Sequence, residues 1–235
     1  MSLQSLQSLQ SPQSLLTSAD AVIFDFDGVL VDSEPLHCRT LAETAADLSL
    51  PVPDWPDYAA HLMGFDDRDA FRALYRRAGV DPSPTDLASA VAAKAARFAA
   101  LAEQGLVPEI PGAADAVRAV AAQKPVALCS GALRSDVLPV LRHLQLDTTF
   151  DVLVTAEDVA ASKPDPASYL LAKQRLLALH PSFKTFLAVE DTPDGIQSAL
   201  FAAIPVLALA THSPPYVLLA SGATTAAPSL SSALA

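Results

Sequence analysis

A short apolar run that ends in two aspartates constrains this chain more than any other feature of its sequence. Residues 22–28 read Val-Ile-Phe-Asp-Phe-Asp-Gly, which predicts a buried strand followed by a tight turn. Because residues two apart in an extended chain point to the same side, we expect Asp25 and Asp27 to project together. Two carboxylates that lose water together repel each other, so a fold retains them only where a cation or a reaction offsets the cost. The pattern therefore predicts a functional site at the end of a central strand.

Composition limits the class of protein and of partner. The chain has 235 residues, of which 51% are hydrophobic, so it can bury a sizeable core. Its formal net charge of −11 disfavours a nucleic acid or an anionic membrane as partner. Two cysteines, Cys38 and Cys129, are too few for a disulfide framework, and no secretory leader pattern opens the chain. We therefore expect a cytoplasmic, monomeric protein with reduced thiols.

The chain changes character along its length. Residues 1–18 repeat Ser-Leu-Gln without a charge, which predicts a disordered or loosely attached extension. Residues 34–106 place apolar residues at three- and four-residue spacing, interrupted by prolines, which predicts a helical insertion. Residues 19–33 and 107–235, on either side of the insertion, are predicted to form an α/β catalytic core. We expect the insertion to act as a cap over the carboxyl ends of the strands, where such folds bind ligands.

Short apolar runs alternate with helical segments in the second part of the chain. After the first run, the predicted strands are 126–130, 152–155, 186–189 and 206–209. Alternation of this kind implies parallel strands with helices on both faces. The predicted fold class is therefore α/β, a Rossmann-like doubly wound parallel sheet with an inserted helical cap domain.

The predicted strand ends carry polar residues suited to phosphoryl chemistry. Ser130 and Gly131 follow the second strand with a hydroxyl and a permissive backbone, which can donate to a phosphate oxygen. Lys163 follows the third strand, and Glu190 and Asp191 follow the fourth. Since the carboxyl ends of parallel strands meet at one edge, these residues and the aspartate pair can together hold a hard cation and a phosphoryl group.

These residue types support one mechanism. Asp25 can attack phosphorus without an activating base, because a carboxyl with an ordinary pKa near about 4 is ionised at neutral pH. Mg²⁺ takes oxygen ligands, which Asp25, Asp191 and a backbone carbonyl near Asp27 would supply. Lys163 and Ser130 would stabilise charge on the phosphoryl oxygens. Asp27 could protonate the departing oxygen and then deprotonate the incoming water or hydroxyl.

Four segments resemble the four motifs of the haloacid dehalogenase-like hydrolase superfamily. They are Asp25–Ser33, Ser130, Ser162–Pro166 and Glu190–Ile196, and they occur in the family's order. The helical insertion resembles the small cap of the branch that contains β-phosphoglucomutase, phosphoglycolate phosphatase and sugar-phosphate phosphatases. The resemblance extends from about residue 19 to the end of the chain, so it implies both the fold and the chemistry.

The resemblance also implies a role for each motif residue. It makes Asp25 the nucleophile and Asp27 the acid and base. It makes Ser130 and Lys163 the phosphate-binding residues. It makes Asp25, Asp27 through its carbonyl, and Asp191 the Mg²⁺ ligands, and it places Glu190 among these ligands or directly behind them. Dehalogenation is disfavoured, since the family members that cleave carbon–halogen bonds lack the second acid that is present here as Asp27.

Two residues of the insertion are candidates for contact with the substrate. His37 falls where β-phosphoglucomutase also has a histidine that faces its sugar. Arg68 lies one place beyond the position at which that enzyme has an arginine for the distal phosphate, and Asp67 occupies that position here. The histidine supports a mutase, and the loop weakens that support. A packing or surface role stays open for both, and no role is assigned to His61, His143, His180 and His212.

Three functions remain open at this point. The first, which we predict, is a Mg²⁺-dependent phosphatase for a small phosphorylated metabolite, a sugar phosphate, in which water attacks the aspartyl-phosphate. The second is a phosphomutase, in which the cap excludes water and a substrate hydroxyl accepts the phosphoryl group. The third is a phospho-acceptor of the receiver type, which the long insertion disfavours.

Overall fold

The computed structural model describes residues 11–63 and 65–235, which divide into two compact units. The first unit consists of the residues up to Val31 together with Glu109–Ala235, and the second is Asp32–Pro108. The insertion predicted from the sequence, residues 34–106, begins and ends two residues inside these bounds. Each unit has its own elements and its own core.

The strands belong to the first unit, and the helices occur in both. The strands are β1 (Ala21–Phe24), β2 (Val126–Cys129), β3 (Val152–Val154), β4 (Phe186–Glu190), β5 (Val206–Leu209) and β6 (Thr225–Ala227). The helices are α1 (Pro12–Ser18), α2 (Glu34–Asp47), α3 (Trp55–His61), α4 (Asp67–Arg77), α5 (Pro84–Glu103), α6 (Ala113–Ala121), α7 (Arg134–His143), α8 (Ala167–Leu179), α9 (Pro193–Phe201), α10 (Pro215–Ala220) and α11 (Leu230–Leu234). A 3₁₀ turn covers Ala156–Asp158.

The strands of the described chain form one parallel sheet in the order β3-β2-β1-β4-β5-β6. β1 pairs with β2 on one side and with β4 on the other, so the sheet extends in both directions from its first strand. The predicted Rossmann-like doubly wound fold is confirmed. Such sheets bind ligands at the carboxyl ends of the two strands where the winding reverses, which are β1 and β4 in this chain.

The central strands are buried because they read as continuous apolar runs, as strands covered on both faces do. Every residue of β1 is 0% exposed. On one side of the sheet, α8 packs Tyr169, Ala172 and Leu176 into a core shared with Ile23 of β1. Residues that directly follow these strands are therefore attached to a rigid scaffold.

The second unit has a helical core of its own. Leu41, Phe71 and Leu74 are buried there in a cluster supplied by α2, α3, α4 and α5. The side chains of Ser83 and Asp86 each accept a bond from the other's backbone N–H, so a capping box fixes the start of α5. No described helix, in either unit, combines the length and the apolar character needed to cross a membrane.

The N-terminal extension differs in part from the expectation of a disordered or loosely attached segment. Residues 12–18 form α1, which buries Leu15 and Leu16 and contacts α11 and β6. The Lys124 ammonium donates to three carbonyls at the end of this helix, at 2.6, 3.0 and 2.6 Å. Carbonyls at a helix C-terminus lack intrahelical partners, so the lysine fastens the helix in place. Residues 1–10, for which the same expectation was made, lie outside the described residues.

Candidate active site

Asp25 lies at the carboxyl end of β1, in the centre of the sheet. Its N–H donates to the carbonyl of Val189 at 2.9 Å, which extends the pairing of β1 with β4 by one bond. β1 ends at Phe24, its pairing with β4 continues through the buried Asp25, and the half-buried Asp27 lies beyond this last paired residue. The alternation of a strand, from which the two aspartates were predicted to project together, therefore extends to Asp25 but not to Asp27.

Three carboxylates meet at this edge of the sheet. One oxygen of each of Asp25, Glu190 and Asp191 lies within 4.8 Å of the others, and all three residues are buried. Glu190 is the last residue of β4 and Asp191 follows it. Because the chain leaves the strand there, two neighbours that would face opposite sides of a sheet both reach the cluster.

Two glycines allow the backbone to approach these carboxylates. Gly28, in the turn after β1, has a φ of +73°, and a Cβ at this position would lie 1.9 Å from Asp191 Oδ2. A Cβ at Gly195, in the first turn of α9, would lie 2.0 Å from Glu190 Oε2. Side chains at either position would displace the acids.

Lys163 supplies the positive charge at the cluster. Its ammonium donates to Asp25 Oδ1 at 2.7 Å, to Glu190 Oε1 at 2.6 Å and to the carbonyl of Cys129 at 3.1 Å. The carbonyl belongs to the last residue of β2, so the lysine joins the ends of β1, β2 and β4. Each of the three ammonium protons has an acceptor.

One ammonium among three carboxylates leaves an excess of negative charge. Together with burial, this charge shifts the pKa values of Asp25, Asp191 and Lys163. Burial, with the charges of Glu190 and Asp191, raises the pKa of Asp25 well above its usual range, although Lys163 acts in the opposite direction. Burial likewise raises the pKa of Asp191, against the hydrogen bond from His212. Burial disfavours the charge of Lys163, but Asp25 and Glu190 outweigh it and raise the pKa of the ammonium well above its ordinary value.

The cluster fits a divalent cation with oxygen ligands. Asp191 Oδ1 is buried and, among the described residues, has no hydrogen-bond partner. A buried carboxylate oxygen without a partner is costly, and the excess negative charge beside it adds to that cost. Mg²⁺ binds to carboxylate and carbonyl oxygens, so the carboxylates of this cluster are suitable ligands for it.

The residues predicted to bind phosphate lie next to this cluster. Ser130 directly follows β2, donates its N–H to Val154 at 2.9 Å and accepts the N–H of Ala132 on its Oγ at 2.9 Å. Gly131 is exposed, and a Cβ there would meet nothing within 4 Å. The carbonyl of Cys129, which directly precedes Ser130, accepts a bond from Lys163. The loop that contains Ser130 and Gly131 therefore starts beside the lysine ammonium.

Tyr169 and His212 also contact the cluster, and neither was assigned a role from the sequence. Tyr169, in α8, donates its hydroxyl to Glu190 Oε1 at 2.8 Å. His212 places Nδ1 3.3 Å from Asp191 Oδ2. His212 follows β5 after two residues, so its place just beyond a predicted strand is a signal that the sequence contains. Tyr169 gave no comparable signal, because an aromatic residue on an apolar helix face usually packs in the core.

The candidates in the second unit lie in or near a buried polar cluster. Lys94, which is 3% exposed, places its ammonium 2.7 Å from His37 Nδ1 and 2.5 Å from Asp67 Oδ1. An ammonium only donates, so Nδ1 of His37 accepts and its proton is on Nε2. The His37 ring stacks on Phe98 with centroids 4.3 Å apart. Arg68 is exposed in the first turn of α4.

Fold and site together define an α/β protein with a buried acidic centre at the carboxyl edge of its parallel sheet, and comparison with known proteins narrows this class. The sequence model of a family described as haloacid dehalogenase-like hydrolase matches residues 22–209. The phosphorylated carbohydrates phosphatase of Thermotoga maritima is 30% identical over 195 residues, which are 83% of this chain and 86% of the relative. The fructose-1-phosphate phosphatase YqaB of Escherichia coli is 29% identical over 178 residues, 76% of this chain and 89% of the relative. The crystal structure of CbbY from Rhodobacter sphaeroides in complex with phosphate has a TM-score of 0.75 at 28% identity, covering 90% of this chain and 95% of that one.

The chain belongs to the haloacid dehalogenase-like hydrolase family. The family predicted from the four motifs is confirmed, as is the enzyme class, a phosphoric monoester hydrolase of this family. The roles of the individual residues stay predictions.

Proposed function

We propose that the protein is a Mg²⁺-dependent phosphatase that hydrolyses a small phosphorylated metabolite, a sugar phosphate, through an aspartyl-phosphate on Asp25. The observation that carries the proposal is the 2.7 Å contact between Asp25 Oδ1 and Lys163 Nζ within a cluster of three buried carboxylates. The relatives named for phosphorylated carbohydrates and for fructose 1-phosphate support a sugar phosphate as substrate.

Four residues would hold Mg²⁺ in this scheme, namely Asp25, Glu190, Asp191 and Asp27 through its carbonyl. When bound, the cation offsets the repulsion among the carboxylates and between them and the phosphate dianion. The buried Asp191 Oδ1, which has no hydrogen-bond partner among the described residues, supports this assignment.

The reaction consists of two displacements at phosphorus. In the first, an Asp25 carboxylate oxygen forms a bond to phosphorus, the bond from phosphorus to the sugar oxygen breaks, and Asp27 gives that oxygen a proton. In the second, Asp27 takes a proton from water, whose oxygen attacks phosphorus and releases inorganic phosphate from Asp25. Both side chains then have their starting protonation states.

The phosphoryl oxygens are stabilised by donors next to Asp25. Lys163 carries a full positive charge, since its pKa is raised well above the ordinary value by Asp25 and Glu190 against the effect of burial. Ser130 would donate its hydroxyl, and the N–H groups from Gly131 onward would add backbone donors. These groups stabilise the charge that spreads over the oxygens as the phosphoryl group transfers.

Phosphatase activity is tested on the purified chain with p-nitrophenyl phosphate and a panel of sugar phosphates, with Mg²⁺ and with EDTA. We expect continuous release of inorganic phosphate with Mg²⁺ and none with EDTA. A single phosphorylation event without turnover would support the receiver-type acceptor and overturn the phosphatase.

The same preparation distinguishes the phosphomutase. β-Glucose 1-phosphate, primed with β-glucose 1,6-bisphosphate, would be converted to glucose 6-phosphate by a mutase. We expect release of inorganic phosphate to exceed this conversion. If glucose 6-phosphate formed faster than inorganic phosphate, a phosphomutase would replace the proposed phosphatase. His37 would then be expected to contact the sugar, as the resemblance implies.

A further inference from the structure

Tyr169 is a buried aromatic residue whose hydroxyl reaches the candidate active site. It lies in the first turn of α8 and is 0% exposed. The hydroxyl donates to Glu190 Oε1 at 2.8 Å, and the centre of the ring lies 5.2 Å from Lys163 Nζ. Tyr169 therefore contacts both Glu190 and Lys163 of the cluster. It lies outside the four segments that resemble the family motifs.

Both oxygens of Glu190 are held by donors on different elements. Oε1 accepts from Tyr169 and from Lys163 at 2.6 Å. Oε2 accepts the N–H of Asp191 at 3.2 Å and the hydroxyl of Thr192 at 3.4 Å. A carboxylate bonded on both sides in a buried setting has one orientation, and the shortest bonds that fix it come from Lys163 and Tyr169.

A continuous series of contacts runs from α8 to the nucleophile candidate. The hydroxyl of Tyr169 donates to Glu190, Glu190 accepts from Lys163, and Lys163 donates to Asp25 at 2.7 Å. A tyrosine hydroxyl carries its proton at neutral pH, and the carboxylate oxygen of Glu190 can only accept, so Tyr169 is the donor in this bond. Without this donor, the Glu190 carboxylate can turn, and Lys163 can follow it away from Asp25.

We propose that Tyr169 is a positioning residue: its hydroxyl orients Glu190 so that Lys163 is held against Asp25. The inference rests on the proposed function for the role of Asp25 as nucleophile. Tyr169 touches neither substrate nor reacting atoms in this scheme, and it acts through Glu190 and Lys163.

The test removes one oxygen atom with Tyr169→Phe, which leaves the ring against Lys163. We expect kcat for p-nitrophenyl phosphate to fall about tenfold while KM stays within about twofold, because the bond lost aligns the nucleophile rather than the substrate. We also expect the affinity for Mn²⁺ alone, measured by electron paramagnetic resonance without substrate, to fall about fivefold, since Glu190 is in the cation cluster.

The second unit offers a matched control. Tyr58, which is 6% exposed, donates its hydroxyl to Glu34 Oε2 at 2.6 Å, so Tyr58→Phe removes the same type of bond. We expect the two variants to lower Tm by similar amounts. Only Tyr169→Phe should change kcat and the affinity for Mn²⁺.

A rescue separates positioning from packing. p-Aminophenylalanine at position 169 restores a donor to Glu190, and we expect it to recover most of the lost kcat. If Tyr169→Phe keeps kcat and Mn²⁺ affinity within about twofold of an active wild type, the inference is overturned and the phosphatase stands. If the wild type neither binds Mn²⁺ nor hydrolyses any phosphate ester, the proposed function fails, and the inference fails with it.

Discussion

Asp25 is subject to two opposed electrostatic effects. Burial and the two neighbouring carboxylates raise its pKa, while Lys163, at 2.7 Å, acts in the opposite direction. An anionic nucleophile in this setting needs positive charge close by, which the lysine supplies in part and a divalent cation would complete. The residue is therefore expected to contribute to catalysis at a cost in stability.

Replacing Asp25 with asparagine separates these two contributions. The amide keeps the volume of the side chain and an acceptor for Lys163, but it cannot form an acyl phosphate. We expect kcat to fall by at least about a thousandfold, and Tm without metal to stay equal or rise because one buried like charge is gone. Phosphate release and thermal melts provide the two measurements. Activity above about a tenth of wild type would contradict the role as nucleophile.

His37 makes the second unit sensitive to acid. Burial, with the adjacent charge of Lys94, lowers the pKa of His37 from 6.5 to about 3. As the pH falls from 6.5 towards 3, the unfolded chain binds a proton that the folded chain does not, so the free energy of unfolding decreases. The contribution of His37 to this slope is at most about 1.4 kcal/mol per pH unit.

His37→Gln should reduce this acid sensitivity. Glutamine does not titrate, and its carbonyl can still accept from Lys94. We expect urea denaturation at pH 7, 5.5 and 4.5 to show a shallower loss of stability in the variant, because other groups titrate equally in both proteins. Parallel pH profiles for the two proteins would show that His37 is protonated in the folded state.

At the scale of elements, the turn from β4 into α9 leaves no room for a side chain at Gly195. A Cβ at Gly195 would lie 2.0 Å from Glu190 Oε2, and Glu190 cannot move freely because Lys163 and Tyr169 hold its other oxygen. We expect Gly195→Ala to lower the free energy of unfolding by about 2 kcal/mol or more.

Gly131→Ala is the control for this clash. A Cβ at Gly131 meets nothing within 4 Å, so we expect a change in stability of no more than about 0.5 kcal/mol. Chemical denaturation of both variants measures the difference. Equal losses would mean that Glu190 can yield to a methyl group, which would weaken the case for its fixed orientation.

Elements with strong apolar patterns were predictable from the sequence. β5 matches its predicted range, and β2, β3 and β4 match theirs to within one residue at their ends. β6 was missed because Thr225–Ala227 is three residues long and lacks large apolar side chains. α1 was missed because its stability comes from burying Leu15 and Leu16 and from Lys124, more than 100 positions away.

The site was predictable where motifs mark strand ends, and it was not where tertiary contacts decide. Asp25, Lys163 and Asp191 were named from sequence, and the structure brings them together. The contacts of Tyr169 and His212 depend on how α8 and β5 pack beside β4, which local patterns do not encode.

At the scale of the whole molecule, bound Mg²⁺ should stabilise the fold. A ligand that binds only the native state at a hundredfold excess over its Kd adds about 2.7 kcal/mol, which raises Tm by about 5 °C or more in a chain of this size. We expect thermal melts at pH 7 to show this rise with MgCl₂. EDTA should abolish it, and Asp191→Asn should reduce it.

The stabilisation by Mg²⁺ should also depend on pH in a defined direction. The pKa values of Asp25 and Asp191 are raised, mainly by burial, so without metal the folded state loses stability as the pH rises above the unfolded value of 3.8 and these groups ionise. At lower pH, protons compete with the cation for the same oxygens. We therefore expect Mg²⁺ to raise Tm less at pH 5 than at pH 7. An equal rise at both pH values would mean that Mg²⁺ binds at a site other than the cluster of Asp25 and Asp191.

The attachment of α1 sets a limit on how far the chain can be shortened. Deleting everything before Asp20 would uncover α11 and β6 and would take from Lys124 the three acceptors that occupy its ammonium. Each buried leucine that is lost removes roughly 2 kcal/mol of hydrophobic stabilisation. A shortened version of this enzyme must therefore begin ahead of β1, at a helix that lies outside the candidate active site.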